Sequence, residues 1–277
     1  MNKRTTFLIV FAIVLPIMAL AAILPRSNDD SASKSNADDQ NANQIIVLEC
    51  YIGDNMVKPV SEIVAIFEKH HHGIKIECHY SGTTSLDKMI RESKAGDLFM
   101  PGSNSYTDRM KAEDIVTWDA NVCKHIMGAI VLKDGNIKTW DDVIQPGVTV
   151  GRGNENVCAL GRLAIKVINR SNLPQLQQNI IVVSVINYQA SSFAMIADGS
   201  VDVLLNWRNI SLCPDEIKNR MAVIEIPEDI NIIKTIPITV LKYTKYPFKA
   251  RDFARFVSSK EGKAIFSKHG FVPVEEN

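Results

Sequence analysis

Tyr80-Ser81-Gly82-Thr83-Thr84-Ser85-Leu86 is the stretch from which the fold can be read. Behind it, Ile74-Lys75-Ile76-Glu77-Cys78-His79 alternates apolar and polar residues, as a half-buried strand does. Ahead of it, Leu86, Met89 and Ile90 are spaced three and four apart, as one face of a helix requires. The glycine-and-hydroxyl knot therefore joins a strand to a helix start. Such a turn offers unpaired N–H groups and short hydroxyls to an anion without supplying a fixed positive charge.

The same grammar repeats outward in both directions. Ile45 to Tyr51 reads as an apolar strand, followed by Gly53-Asp54-Asn55 and a helix from Pro59 to His70. Asp97-Leu98-Phe99-Met100 is a short strand that ends at Pro101-Gly102-Ser103. Farther on, Val148 to Val150 leads through Gly151-Arg152-Gly153-Asn154 into a helix beginning near Ala159. Ile180 to Val185 is a strand, Asn187-Tyr188-Gln189 opens a helix, and Val201 to Leu205 is a strand ending at Asn206-Trp207-Arg208. A strand from Ile236 to Leu241 and a helix from Ala250 to Phe256 close the series. Strand, turn and helix in alternation predict an α/β fold of mainly parallel sheets flanked by helices. In such sheets, ligands collect at the strand C-termini.

The chain's 277 residues suffice for two lobes with buried cores. Its 31 basic and 31 acidic residues cancel, so no basic field directs it to nucleic acid or to an anionic membrane surface. Lys3 and Arg4 precede an apolar run from Phe7 to Leu24. Residues 1–25 therefore read either as an export signal, cleaved near Ala19-Leu20-Ala21, or as an uncleaved membrane anchor. Both place the rest of the chain outside the cytoplasm, in the periplasm or at the cell surface. Residues 26–44 contain almost no large apolar side chain and read as a disordered linker. Cys50, Cys78, Cys123, Cys158 and Cys213 make an odd count, which leaves at least one thiol free. Cys50 and Cys78 fall on consecutive predicted strands, and either a bridge or two free thiols is compatible with that placement.

With the knot and Gly96-Asp97-Leu98-Phe99-Met100-Pro101-Gly102, the chain resembles the molybdate- and tungstate-binding proteins of ABC transporters. The likeness continues through Gly153-Asn154-Glu155-Asn156-Val157-Cys158-Ala159-Leu160-Gly161-Arg162-Leu163-Ala164. It ends in Phe253 to Phe266 and Lys268-His269-Gly270-Phe271, a closing pattern shared by many extracellular solute-binding proteins. The resemblance implies a two-lobed flytrap that closes on a tetrahedral oxyanion and hands it to a membrane permease. No residue set resembles a catalytic triad, a phosphate-cradling loop or a metalloprotease helix, so the chain is expected to be a monomeric binding protein without a cofactor and not an enzyme. The resemblance also implies two crossings between lobes, placed near Cys123 to Gly128 and near Ile230 to Lys234. Residues 45–125 with 233–277 would then form lobe 1, and residues 126–232 lobe 2.

Carried over residue by residue, the resemblance assigns ligand contact to Gly53 and Asn55 in the first loop, Thr83 and Thr84 in the second, and Gly102 and Ser103 in the third. Cys158, Ala159 and Leu160 would offer backbone N–H groups at a helix start. Tyr188, Gln189 and Trp207 would complete the set. Asp54 is unwelcome beside an anion and is expected to cap the following helix. Arg208 stands where many relatives carry an aspartate. It raises the alternative of another anion or a small organic acid, clamped by Arg208, Arg152 or Arg162. A non-transport sensor or interaction domain on the same fold is the remaining alternative. The run Lys69-His70-His71-His72-Gly73 cannot place three imidazoles on one helix face, and is expected to close a helix, where positive charge suits the dipole.

Overall fold

A computed structural model describes residues 45–156, 159–172, 177, 179–183, 191–210 and 213–275. The export signal or anchor and the linker expected before residue 45 lie outside these residues. Gln44–Asn277 forms one compact unit. Among the described residues, no helix is long and apolar enough to cross a membrane.

The elements follow the alternation. Strand β1 (Ile46–Gly53) passes through a 3-10 turn (Asp54–Met56) into α1 (Val57–His70). Then come β2 (Ile74–Ser81), α2 (Thr83–Ser93), β3 (Leu98–Met100) and α3 (Asn104–Ala112). The long strand β4 (Val116–Leu132) leads to α4 (Trp140–Val143), β5 (Val150–Gly153), α5 (Ala159–Ser171) and β6 (Ile180–Val183). Next are α6 (Phe193–Ala197), β7 (Val203–Trp207), α7 (Asp215–Lys218) and β8 (Met221–Glu225). The chain ends with β9 (Ile233–Leu241), α8 (Pro247–Ser258), α9 (Lys260–Lys268) and β10 (Val272–Pro273).

The strand order β2-β1-β3-β9-β4-β7-β5-β6 combines two pairing modes, with β8 and β10 both joined to β4. β1 pairs parallel with β2 and β3, and β5 pairs parallel with β6 and β7. The strands between them are antiparallel: β9 to β3 and β4, and β7 to β4. β4 changes partners midway along its 17 residues. Up to Ile126 it pairs with β9, and from Met127 it pairs with β7, followed by β8 from Gly128. The core divides accordingly. One cluster packs Leu48, Ile63 and Phe67 against Ile238 and Phe253, and another packs Ile130, Val150, Val167 and Phe193 against Leu204.

Helix α1 shows how sequence spacing becomes packing. Val60, Ile63 and Phe67 lie on one face and are buried. Phe67 meets Phe253 of α8 edge-on, ring centroids 5.0 Å apart, a contact worth about 0.5–1.5 kcal/mol beyond area burial. At its end, Nδ1–H of His70 and of His71 donates to the Ile66 and Phe67 carbonyls, each at 2.9 Å. The histidines thus satisfy the last-turn acceptors of the helix.

Candidate functional site

The parallel strands β1, β2 and β3 end at one edge of the sheet, and the three predicted loops emerge there side by side. Thr83 Oγ1 accepts the Gly102 N–H at 3.0 Å, joining the second loop to the third. A Cβ at 102 would make ordinary contact with Thr83 Oγ1 at 3.4 Å and His125 Nδ1 at 3.5 Å, so the third loop packs directly on both side chains. Ser103 caps α3, its hydroxyl accepting the Ser105 N–H. Thr84 is exposed and shares a 2.8 Å hydrogen bond with the Tyr106 hydroxyl. Neither threonine caps α2, where Gly82 takes the N-cap position with no side-chain bond.

The residue that ties these loops together is His125 on β4. Its Nδ1 lies 3.2 Å from the Gly102 carbonyl, which can only accept, so Nδ1 carries the proton. Nε2 is then an acceptor, and Asn55 Nδ2 donates to it at 2.6 Å. On another side, the imidazole stacks on Trp207, with ring centroids 3.4 Å apart and planes inclined by 22°. Burial pushes the pKa of His125 down to about 3, so the ring is neutral at ordinary pH. His125 had been placed only inside a predicted crossing. The available signal was an imidazole embedded in the apolar run Val122-Cys123 and Ile126-Met127.

Trp207 ends β7 and is 7% exposed. Its indole Nε1 is buried without a hydrogen-bond partner among the described residues. A buried donor left unpaired costs free energy unless something else accepts from it. Asn55, Gly102, Thr83 and Trp207 are therefore brought together around His125. Gly53 closes β1 just before them. Ala159 begins α5, and Leu160 sends its side chain into the core while its backbone stays in the first turn. Gly161 sets that helix tightly on the end of β5, where a Cβ would lie 2.4 Å from the Gly153 carbonyl oxygen. Cys158, Tyr188 and Gln189 fall outside the described residues.

One expectation is corrected. Asp54 does not cap α1, which has no side-chain cap. The aspartate lies within the 3-10 turn, and burial raises its pKa. The arginines are not free clamps. Arg208 Nε donates to Glu225 at 2.9 Å, and its Nη2 meets the same carboxylate oxygen. Arg152 Nη1 donates to Glu155 at 2.6 Å, and Arg162 bonds the Glu155 carbonyl. Arg208 and Arg152 thus each have a carboxylate partner, and Arg162 a neutral carbonyl.

Residues 48–272 match the family described as bacterial extracellular solute-binding protein. The chain belongs to that family. Among curated relatives, this solute-binding protein is 24% identical to a putative binding protein of Haemophilus influenzae, over 82% of its own length and 91% of the relative's. It is 22% identical to the molybdate-binding protein ModA of Mycobacterium tuberculosis, over 92% and 94% of the two chains. Among solved structures, it shares its fold with the substrate-binding domain of a putative molybdenum ABC transporter from Clostridium difficile. There the TM-score is 0.73 at 20% identity, covering 83% of this chain and 100% of the other. Solved structures with this fold also include a sulfate-binding protein of M. tuberculosis and an iron-bound protein of Pseudomonas aeruginosa. The solute-binding protein thus has the two-lobed α/β architecture of periplasmic binding proteins.

Proposed function

We propose that this protein captures a tetrahedral oxyanion, molybdate or tungstate, between its lobes and delivers it as a monomer to its permease. Lobe 1 is taken as residues 45–125 with 233–277, and lobe 2 as residues 126–232. The observation that carries the reading is the buried, unpartnered indole N–H of Trp207 beside the neutral His125. Neutral dipoles hold a doubly charged oxyanion without a counter-ion when enough of them converge. The hydroxyl proton of Thr83, whose oxygen already accepts from Gly102, and the first-turn amides at Ala159 and Leu160 are donors of this kind. Thr84, Ser103, Gly53, Cys158, Tyr188 and Gln189 complete the proposed set. No cofactor enters this reading.

Calorimetric titration of the unit beginning at Gln44 with molybdate, tungstate, sulfate and phosphate tests it. Tight binding of the first two anions, with sulfate ignored, is the expected result. Heat from none of the four would overturn the oxyanion assignment.

A further inference from the structure

Cys50 and Cys78 are register partners across the parallel β1–β2 pair. On β1, Leu48, Cys50 and Ile52 face the core under α1. On β2, Ile76, Cys78 and Tyr80 line the same cluster. The two thiols therefore project from one face of adjacent strands. Neighbouring strands run about 4.8 Å apart, inside the roughly 4.4–6.8 Å Cα separation that a disulfide spans. Both cysteines are free thiols here, Cys50 wholly buried and Cys78 half-buried.

We propose that Cys50 and Cys78 form a thiol–disulfide exchange site, in which Cys78 is the accessible nucleophile and Cys50 the resolving thiol. The co-reactant is an external disulfide, which an oxidising extracytoplasmic compartment supplies. The Cys78 thiolate attacks one sulfur of that disulfide, a mixed disulfide forms, and the other external sulfur leaves as a thiolate. Cys50 then gives up its proton to the departed thiolate and attacks Cys78 Sγ, expelling the second external thiol. Two protein thiols are oxidised to one disulfide, and one external disulfide is reduced to two thiols.

The surroundings divide the roles. Hydrogen bonds from the Cys50 thiol and the Tyr80 hydroxyl pull the Cys78 pKa below its ordinary value, while burial pushes that of Cys50 well up. The Tyr80 hydroxyl is held in turn 3.5 Å from Ser61 Oγ on α1. The staple would lie just before the turn carrying Asn55 and just before the turn carrying Thr83, fixing the spacing of those two loops. This site is independent of the ligand reading.

The full chain, equilibrated with graded ratios of oxidised to reduced glutathione, alkylated and mapped by mass spectrometry, tests the proposal. The expected result is loss of the mass of two hydrogen atoms and a peptide linking Cys50 to Cys78. Cys50→Ser is expected to trap glutathione on Cys78, and Cys78→Ser to form neither product. Full alkylation of Cys50 and Cys78 at the most oxidising ratio would overturn it, as would a link from either one to Cys158. The unsubstituted chain alone decides the first point, so a variant that fails to fold does not rescue the idea.

Discussion

The His125 imidazole lies against the Trp207 indole with ring centroids 3.4 Å apart, joining a residue of the β4–β9 ladder to the end of β7. The stack fixes the direction of an indole N–H that has no partner among the described residues. Trp207→Phe keeps an aromatic face but deletes that donor together with part of the buried ring volume. Oxyanion binding should weaken by about 1.5–3 kcal/mol, the range for a hydrogen bond to a charged group, with a lower melting temperature from the lost packing. Unchanged affinity in titration would remove Trp207 from the donor set.

His125 also sets a pH dependence. Its folded pKa is depressed to about 3 from an ordinary 6.5, so below pH 6.5 the unfolded chain binds the extra proton. Stability should therefore fall as pH drops from 6.5 toward 3, at up to about 1.4 kcal/mol per pH unit. Between pH 6.5 and 5, the salt-bridged carboxylates Glu62, Glu113 and Asp215, held below their usual range, do not yet contribute. Urea melts across that interval should show the slope, and His125→Asn should flatten it. An equal slope in the variant would assign the effect to other groups.

Thr83 and Thr84 should behave differently despite being neighbours. Thr83→Val removes the acceptor for the Gly102 N–H together with a candidate ligand donor, a loss of roughly 1–3 kcal/mol in binding. Thr84→Ala breaks an exposed bond to Tyr106 and should cost less. The reverse order in calorimetry would shift the site toward Thr84.

Arg208→Ala or Glu225→Gln should leave oxyanion affinity within about twofold, because this exposed pair is worth only ~0–1 kcal/mol. A tenfold change in either direction would revive an arginine-clamped ligand.

Gly161→Ala should destabilise the protein by about 1–3 kcal/mol, the usual cost of overpacking. The added methyl would meet the Gly153 backbone, which cannot rotate out of the way as a side chain can. An unaltered chemical melt would show that α5 can lift off β5.

The strand–turn–helix units around Gly53, Thr83 and Gly102 were legible because apolar periodicity and turn residues are local signals. β4 was not. Trp118 to Lys124 mixes charged and apolar residues because that part lies between β9 and helices, while Ile126 to Leu132 is nearly all apolar between β7, β8 and the second core. No single period describes a strand that serves two sheets. The place of Asp54 and the partner of Arg208 were not legible for a related reason. A carboxylate or guanidinium is defined by its partner, and Glu225 is distant in sequence from Arg208. His125 was hidden in the same way, since its neighbours Asn55, Gly102 and Trp207 come from three separate stretches.

The continuity of β4 across the change of partners at Ile126 and Met127 bears on how such a trap moves. Opposite that point, β9 begins at Ile233, paired with Ile126, so one connection runs as continuous strand while the other enters the ladder from the turn at Pro227–Asn231. On the proposed division into lobes, a strand bends like a leaf spring, and the angle at which the lobes rest is set where β4 leaves β9 for β7. Stiffening or loosening the strand at Gly128, where a Cβ would come 2.8 Å from Val223, should therefore retune the force with which the jaws grip without altering a single donor.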